Sequence, residues 1–558
     1  MAWRLLKLAL LAMINSKLVV FVTSVLVGCS FPAATADATS TPTLHACPSD
    51  LTQWQQLLGA AWLDCHQLID LTTTGNPYTD PNDLYGMGQP SGQGSGTLNS
   101  SYANPTSPPV SGIQLDGYFP DSCNAYVSEP ALTAKNGTPF IRGCVPPPTP
   151  GALCVAECHH DAEFVIRIPD SWNGHLLTAG TPGIRDAFSS DFILSDYAME
   201  KGWAYVSQDK GNIGSNFYHA GTDEVGSCGT PWCPGAAIQE WLPRMRQATQ
   251  QTIALLDSVA PRYGLQHVTR SYAAGISNGG YQVRRALETD GTGKDRLYDG
   301  GMDWEGTLFL ASVPAGVVLA QPTTGYNLFT YLPTSLANYP GDVTGDPGAV
   351  AALAAVGFNP ESQPLWPDHW TVYWGLTQKI FRLEFDPEYT NYACSSLSGP
   401  ACVSLPAEQV LPADPDASYN YAARPLANPA LANRLQSVAN TGNIQHPLIT
   451  VHGDQDSLLP IHTDSDIYAR LVQLAQRGDR YRFYTVSGGN HVDPQFDDHY
   501  GIDSYGMHVL RPILPCARAA IDALAAWVEQ GVAPPPGHAI PRPDPDTASD
   551  LANHCSLT

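Results

Sequence analysis

Residues 270–285 read Arg270-Ser-Tyr-Ala-Ala-Gly275-Ile-Ser277-Asn-Gly279-Gly280-Tyr-Gln-Val-Arg-Arg285. A short apolar run, a serine between glycines and a helix-like segment follow one another, which predicts a strand, a sharp turn and a helix. Gly275 and Gly279 leave the space that a strained turn at Ser277 requires. The hydroxyl would stand clear of the sheet, and the first N–H groups of the helix would face developing negative charge. The pattern indicates a nucleophilic serine, provided that an acid and a histidine follow in that order.

Both residues are present, each just after a later strand-like run. Asp456 follows the run 447–451, and His491 follows the run 481–486. A serine hydroxyl needs a neutral imidazole to take its proton, and the imidazole needs a carboxylate that fixes its tautomer. The carboxyl ends of parallel strands share one sheet edge, where ligands bind. We therefore predict a catalytic triad of Ser277, Asp456 and His491.

Other residues compete for two of these roles. Asp454 and Asp303 are the alternative acids, and His508 is the alternative base. Asp456 is preferred because it occupies the acid position of a His-Gly-x-x-Asp pattern. His491 is preferred because His508 lies in a segment that leads into the last predicted helix.

An oxyanion hole should use two backbone N–H groups. One is the N–H of Asn278, at the start of the helix, and the other should come from the loop after Gly180. Pro182 has no N–H to offer. Thr181 is therefore the predicted second donor, and Gly183 is the reserve.

Strand-like runs alternate with segments of helical periodicity in residues 161–321 and 441–535, the two parts of a predicted core. The predicted strands are 163–169, 173–180, 203–207, 297–304, 447–451 and 481–486, and the predicted helices are 192–201, 236–263 and 512–530. This alternation predicts a mostly parallel sheet with helices on both faces.

Residues 322–440 interrupt this pattern with interleaved prolines and aromatics. Two strand–helix units would use only about 60 to 80 residues between nucleophile and acid, so the excess predicts an insertion. We interpret it as a lid in which Trp370 and Trp374 contact substrate. The alternative is a lateral subdomain whose aromatics form its own core.

The first residues predict export. A basic region precedes the apolar run 18–27, which ends in Leu-Val-Gly-Cys29 and resembles a bacterial lipobox. Residues 1–28 would then be a lipoprotein signal peptide, with a lipid on Cys29 and a tether over 29–46. Ordinary cleavage without a lipid is the alternative, and Met13 is an alternative start.

The 13 cysteines fit an oxidising compartment, because setting Cys29 aside leaves an even number. The near neighbours suggest the pairs Cys228–Cys233, Cys394–Cys402 and Cys516–Cys555. Segment 47–160 is predicted as a disulfide-stapled region with a helix over 51–69, and 536–558 as a C-terminal tail. Zinc ligands are the alternative for Cys154, Cys158, His159 and His160, but no second ligand pair lies at zinc spacing. We expect no metal and no cofactor.

Composition limits the partners. Acids outnumber bases 52 to 28, and the formal net charge is −24. Such a surface repels phosphate backbones, which excludes nucleic acid as a partner. Contact with a membrane is expected only through a lipid on Cys29.

Three motifs carry a family resemblance: Gly-Ile-Ser-Asn-Gly-Gly, His-Gly-x-x-Asp-x-x-x-Pro and Gly-Gly-Asn-His. They resemble those of α/β-hydrolase serine esterases. The blocks 172–180 and 201–212 resemble the group of tannases, feruloyl esterases and 3-hydroxybutyrate-oligomer hydrolases, over about residues 115–320 and 440–530. The resemblance implies an α/β-hydrolase fold and a serine carboxylic ester hydrolase that works through an acyl-enzyme.

The chain departs from tannases at one point. Tannase-like enzymes place linked cysteines beside the nucleophile and the histidine, where this chain has Ile276 and Val492. This difference favours oligoesters of the 3-hydroxybutyrate type as substrates, with aromatic esters (ferulate, gallate, phthalate or terephthalate) as the alternative. A binding lipoprotein on a decayed hydrolase scaffold is the non-enzymatic alternative.

Overall fold

A mixed sheet of ten strands forms the frame of the molecule in this computed structural model. The structure describes residues 45–79, 108–119, 132–133, 139–140, 162–183, 187–211, 236–310, 347–355, 357–366, 385, 428–491, 493, 510–543 and 554–558. The strands are β1 (Trp62–Leu68), β2 (Gly112–Tyr118), β3 (Glu163–Pro169), β4 (His175–Gly180), β5 (Ala204–Gln208), β6 (Arg270–Ile276), β7 (Gly300–Trp304), β8 (Leu448–Gly453), β9 (Tyr481–Val486) and β10 (Ala539–Ile540). Leu132–Thr133 and Pro139–Phe140 pair separately as a small antiparallel hairpin.

The order of the strands in the sheet is β1-β2-β3-β5-β4-β6-β7-β8-β9-β10. The pairs from β5 to β10 are all parallel, whereas β1, β2, β3 and β5 pair antiparallel. In the parallel part, Gly275 lies opposite both Gly180 and Asp303, and Trp304 lies opposite Val451. The loops that leave these strands therefore start at one edge of the sheet.

Helices cover both faces of this sheet. They are α1 (Thr52–Leu58), α2 (Asp196–Glu200), α3 (Ala236–Val259), α4 (Asn278–Thr289), α5 (Pro347–Ala355), α6 (Pro429–Val438), α7 (Ser465–Leu474) and α8 (Leu514–Gln530). A π-helix over Asp191–Ser195 leads into α2, and short 3₁₀ turns span Ala260–Tyr263, Gly293–Asp295, Pro360–Leu365 and Gly478–Arg480. No helix in the described ranges is both long and apolar enough to cross a membrane.

Alternate side chains along the central strands point to opposite faces of the sheet and pack in separate apolar clusters. In β6, Tyr272 and Ala274 pack in the apolar cluster that includes α8 and the turns before β5. Ala273 points the other way, into the cluster formed with α4 and α7. Since strand side chains alternate with a period of two, one buried strand supplies both cores. The expected α/β-hydrolase architecture, with a mostly parallel sheet covered on both faces, is confirmed.

The segment before residue 160 differs from the expected single helix over 51–69. Helix α1 ends at Leu58 because Gly59 adopts the left-handed conformation, with φ of 60°, and closes the helix. The chain then forms β1, which pairs with β2, and β2 pairs with β3. This region therefore extends the sheet, and a disulfide between Cys47 and Cys65 fastens its start.

Two predicted elements begin two or three residues later than expected, because aspartate side chains accept hydrogen bonds from the backbone N–H groups near their starts. The strand expected from 297 begins at Gly300, since the N–H groups of Leu297 and Tyr298 donate to the carboxylate of Asp290. The helix expected from 512 begins at Leu514, whose N–H donates to Asp493.

The described parts of the insertion 322–440 lie against the core. Tyr281 of α4 donates its hydroxyl to the carbonyl of Val438 at 2.8 Å. Asn359 donates to the carbonyl of Asp454 at 2.8 Å, so the insertion contacts a loop after β8. Phe385 is fully buried and packs against Phe309.

A buried carboxylate joins the N-terminal region to the core. Asp196 accepts hydrogen bonds from the N–H of Thr73 at 2.8 Å and from the hydroxyl of Thr73. Burial is the main reason that the pKa of Asp196 rises to about 7, and the nearby Asp191 adds to it. The folded protein therefore holds this proton more tightly than the unfolded chain does.

This shift gives a pH-dependent stability. The contribution of Asp196 is fully present below its ordinary pKa near 4 and is lost as pH rises toward 7. Asp196→Asn resembles the protonated form, so the melting temperature of the variant should rise relative to that of the parent between pH 5 and pH 8. Melting curves of both proteins across this range test the prediction. A difference that stays constant with pH would show that Asp196 does not titrate in this window.

A second buried polar contact lies behind the glycine-flanked serine. Arg284 of α4 donates from Nε to Asp303 Oδ2 at 2.6 Å, and neither side chain is exposed. Its other nitrogens donate to the carbonyl of Gly306 at 2.8 Å and to the hydroxyl of Ser465 at 2.9 Å. Thr450 donates to the same carboxylate at 2.8 Å. One guanidinium thus joins α4, β7, the loop after β7 and the start of α7.

Removing this guanidinium should destabilise the protein strongly. Arg284→Ala leaves the carboxylate of Asp303 buried without its charge partner, which should lower the free energy of unfolding by about 3–5 kcal/mol. Arg246→Ala is the matched control, because Arg246 pairs with Asp290 at 3.3 Å and is about one-third exposed. We expect a loss of no more than about 1 kcal/mol there. Equal losses in urea denaturation would contradict the assignment.

Candidate active site

Ser277 occupies a strained turn between β6 and α4. Its φ and ψ are 82° and −112°, a conformation that residues other than glycine rarely adopt. Its N–H donates to the carbonyl of Trp304 at 3.0 Å, and its carbonyl accepts from the N–H groups of Tyr281 and Thr307 at 3.0 Å each. These three hydrogen bonds hold the backbone of Ser277 in this conformation.

The glycines around Ser277 are required by contact between backbones. A Cβ atom at Gly279 would lie 2.1 Å from the carbonyl oxygen of Gly180 and 3.1 Å from the nitrogen of Thr181. A Cβ atom at Gly275 would lie 2.6 Å from the carbonyl of Gly279. The start of α4 therefore packs directly on the loop after β4.

This contact places the two predicted oxyanion donors on adjacent segments. Asn278 is the first residue of α4, so its N–H has no acceptor within the helix. Thr181 follows β4, and its hydroxyl accepts a hydrogen bond from the buried ammonium of Lys210 at 2.9 Å. The reserve donor, Gly183, has φ of 45°, and its carbonyl accepts from the side chain of Asn278 at 3.4 Å.

The predicted acid and base lie beside the serine. His491 Nε2 is 3.1 Å from Ser277 Oγ, and His491 Nδ1 is 2.9 Å from Asp456 Oδ2. The second oxygen of Asp456 accepts from the N–H groups of Leu458 and Leu459 at 2.8 Å each. The side chains therefore form a continuous row from carboxylate to hydroxyl, with the imidazole between them.

Donors around Asp456 keep it ionised. Burial alone would raise the pKa of Asp456, but the nearby His491 and hydrogen bonds from His452 and His491 hold it well below its usual range. The carboxylate can therefore keep the proton of the imidazole on Nδ1, which leaves Nε2 free to accept a proton from Ser277.

The alternative residues lie elsewhere. Asp303 is engaged by Arg284 behind the turn. Asp454 accepts from the N–H of Gly488 at 2.8 Å, and burial raises its pKa. His508 falls outside the described residues.

Glu305, which the sequence analysis did not single out, is a further acid at the site. Its Oε2 lies 3.3 Å from His491 Nδ1, and its Oε1 accepts from the N–H of Gly453 at 2.9 Å. Ligand-type atoms of Glu305, His452 and Asp456 all lie within 4.8 Å of one another. Asp456 directs its oxygen at both histidines, so we interpret the group as a hydrogen-bond network around the base. The available signal was position, since Glu305 follows β7 as Ser277 follows β6.

The other predicted positions are divided between those the structure describes and those it does not. Cys516 and Cys555 form a disulfide. The predicted lid residues, the lipidation site and two cysteine pairs lie outside the described residues: Trp370, Trp374, Cys29, Cys228, Cys233, Cys394 and Cys402. Disulfides are typical of proteins outside the cytoplasm, in agreement with export.

The geometry defines a class of site. A strained serine after a central parallel strand, an imidazole at hydrogen-bond distance and a buried carboxylate behind it are the arrangement that activates serine as a nucleophile. The sheet order and the turn at Ser277 are those of the α/β-hydrolase fold.

Similar proteins are found among the solved structures. No protein-family model matches the chain, and no curated protein matches it. Tannin acyl hydrolase from Aspergillus niger is 13% identical, with 88% of this chain and 89% of that chain covered and a TM-score of 0.40. Feruloyl esterase B from Aspergillus oryzae is 15% identical, with coverage of 81% and 86% and a TM-score of 0.37. The rice cell wall degrading esterase LipA from Xanthomonas oryzae is 13% identical, with coverage of 66% and 86% and a TM-score of 0.33.

The contact between α4 and the loop after β4 can be tested with one methyl group. Gly279→Ala should lower the melting temperature, because the new Cβ meets the backbone of Gly180. It should also lower the rate at which a serine-directed fluorophosphonate probe labels Ser277. Alanine in place of glycine inside a helix would otherwise add about 1 kcal/mol of stability. Gly478→Ala is the control, since nothing lies within 4 Å of its Cβ position. An unchanged or stabilised Gly279→Ala variant would contradict this packing.

Proposed function

We propose that this chain is a serine hydrolase that cleaves carboxylic esters through an acyl-enzyme. The observation that carries the proposal is the row formed by Ser277 Oγ, His491 and Asp456, with 3.1 Å and 2.9 Å between successive polar atoms. Two further features support it: the helix start at Asn278 and the adjacent Thr181, which together offer backbone donors.

Acylation follows from this arrangement. Ser277 Oγ attacks the ester carbonyl carbon while His491 Nε2 takes the hydroxyl proton. The carbonyl oxygen gains negative charge, which the N–H groups of Asn278 and Thr181 would stabilise. Asp456 stabilises the imidazolium that forms without taking its proton. When the C–O bond breaks, His491 returns the proton to the departing alcohol.

Deacylation repeats these steps with water. His491 takes a proton from a water molecule, which attacks the acyl carbon, and the second tetrahedral intermediate expels Ser277 as His491 returns the proton. The products are a carboxylic acid and the free enzyme. Because the same imidazole both accepts and donates the proton, Ser277, His491 and Asp456 with the two backbone donors complete the catalytic cycle.

The reactive group of the proposed substrate is a carboxylic ester. The sequence favours 3-hydroxybutyrate oligoesters as substrates, with aromatic esters as the alternative. None of the three structures compared above is named as a hydroxybutyrate-oligomer hydrolase, whereas two are named as a feruloyl esterase and a tannin acyl hydrolase. These names favour the aromatic alternative. The test below includes esters of both acyl classes.

The setting of the enzyme is part of the proposal. We propose export as a lipoprotein anchored through Cys29, with the insertion 322–440 acting as a lid over the site. Export is supported by the basic and apolar pattern before Cys29 and by the two disulfides joining Cys47 to Cys65 and Cys516 to Cys555. The lid is supported by the contacts of the insertion with α4 and with the loop after β8.

Replacing the nucleophile tests the reaction class. Ser277→Ala should lower kcat/KM for any accepted ester by roughly 10⁴-fold or more, because the serine and the histidine act as a unit. A fluorophosphonate probe should label Ser277 in the parent protein and nothing in the variant. Ser258→Ala is the control, since Ser258 lies in α3 and donates only to the nearby carbonyl of Leu255.

Probe labelling distinguishes the hydrolase from the binding-lipoprotein alternative. A folded parent protein in which the probe does not label Ser277 would support the binding-lipoprotein alternative and overturn the enzyme. The ester panel for these assays is a hydroxybutyrate trimer, methyl ferulate, methyl gallate and a terephthalate ester. A preference above about tenfold, which is roughly 1.4 kcal/mol of transition-state discrimination, assigns the acyl class.

A further inference from the structure

Glu305 is a fully buried acid held in an unusual backbone conformation next to the base. Its φ is 50°, and it is one of five residues other than glycine with positive φ among the described residues. Such strain persists only where the surroundings enforce it, and it often marks functional sites. Here the N–H of Glu305 donates to the carbonyl of Val451 at 3.0 Å, which fixes the backbone between β7 and β8.

This conformation directs the carboxyl group at the imidazole. Oε1 is held by the N–H of Gly453, whereas Oε2 lies 3.3 Å from His491 Nδ1 and has no hydrogen-bond partner among the described residues. Asp456 Oδ2 approaches the same nitrogen at 2.9 Å. One ring nitrogen therefore faces two carboxyl groups, which come from the loops after two neighbouring strands.

We propose that Glu305 is a positioning residue for His491, whose carboxyl group stands beside Asp456 on the same ring nitrogen and takes over its role when Asp456 is removed. The inference rests on the proposed function for its kinetic consequences. It requires no added reactant, since the only change is which carboxyl group accepts the hydrogen bond from Nδ1.

The number of donors decides which acid is charged in the parent protein. Asp456 accepts from His491, from His452 at 3.1 Å and from the N–H groups of Leu458 and Leu459. Glu305 has one backbone donor, a contact with the Trp304 side chain that favours its charged form, and the more distant contact with His491. Two buried carboxyl groups beside one imidazole cannot both be ionised at low cost. The group that accepts more hydrogen bonds, Asp456, therefore keeps the charge.

Electrostatics agrees with this assignment. Burial raises the pKa of Glu305 well above its ordinary value, and the negative charges of Asp456 and of Asp493 add to the effect. The groups that face Glu305 are thus two acids, Asp456 and Asp493, and two histidines, His452 and His491. Removing the charge of Asp456 takes away one of the causes that keep Glu305 protonated.

A double-mutant cycle tests the inference. The proteins are the parent, Glu305→Gln, Asp456→Ala and the double variant, each assayed for hydrolysis of 4-nitrophenyl acetate and for the rate of fluorophosphonate labelling at Ser277. Glu305→Gln alone should lower kcat/KM by about threefold. The same change in the Asp456→Ala background should lower it by at least 100-fold, because there Glu305 is the remaining acid.

The pH profile gives a readout that a purely structural role would not move. In Asp456→Ala the imidazolium that forms during the reaction needs an ionised Glu305 to stabilise it, and burial raises the pKa of Glu305, whereas the pKa of Asp456 is held low in the parent. The acid limb of kcat/KM should therefore move to higher pH in Asp456→Ala. Equal factors for Glu305→Gln in both backgrounds, or an unmoved acid limb, would overturn the inference.

One control tests whether loss of any nearby carboxylate has the same effect as loss of Glu305. A second variant covers the case in which Asp456→Ala does not fold. Glu361→Gln removes a carboxylate that accepts from Gln455 at 3.3 Å, in the loop that carries Asp456, and its effect should be the same in both backgrounds. If Asp456→Ala does not fold, Asp456→Ser replaces it, because a serine oxygen can also accept from the N–H groups two and three residues on.

A spectroscopic measurement distinguishes failure of this inference from failure of the proposed function. In ¹⁵N-histidine-labelled protein, the Nδ1 proton of His491 should keep a downfield, hydrogen-bonded resonance in Asp456→Ala and lose it in the double variant. This result does not require ester hydrolysis. Loss of the resonance in Asp456→Ala itself would overturn the role of Glu305, whereas failure of the probe to label the parent protein would overturn only the hydrolase.

Discussion

The buried ion pair between Arg284 and Asp303 is the contact on which the site depends. The two charged groups are 2.6 Å apart, and both are withdrawn from water. Removing charges from water is costly, so such a pair is tolerable only when the other donors and acceptors are satisfied. Here the remaining partners are Gly306, Ser465 and Thr450, which belong to three different segments. The need to satisfy one guanidinium and one carboxylate therefore fixes how these segments meet.

The strained residues lie on either side of this pair. Ser277 precedes the helix that carries Arg284, and Glu305 follows the strand that carries Asp303. Both have positive φ, which costs on the order of 1–3 kcal/mol for each residue. Gly280 leaves room for this packing, since a Cβ atom there would lie 2.4 Å from Asp303 Oδ1. The ion pair and its close backbone contacts thus hold two unfavourable conformations that point side chains at one imidazole.

The sequence places Ser277, Asp456 and His491 just after strand-like runs, and the order of strands brings such positions to one edge, where the three side chains lie at hydrogen-bond distance. The position of Glu305 just after β7 was a signal of the same kind, but the sequence does not show that its side chain is buried against His491. The helix expected over 51–69 was wrong past Leu58 for a related reason. Strand β1 is stabilised by pairing with β2, about fifty residues later in the chain, and local periodicity does not contain such long-range contacts.

The loop that carries His491 lies in direct backbone contact with the loop that carries Asp456. Ile276, beside the nucleophile, is fully buried in the apolar cluster that contains Trp304, Val451 and Val486. A Cβ atom at Gly453 would lie 2.2 Å from the carbonyl oxygen of Gly489, and that oxygen accepts from the N–H of Gln455 at 2.8 Å. Direct contact between the acid loop and the histidine loop therefore sets their spacing. Since this contact leaves no room for a side chain at Gly453, backbone shape and hydrogen bonding fix the acid loop against the histidine loop.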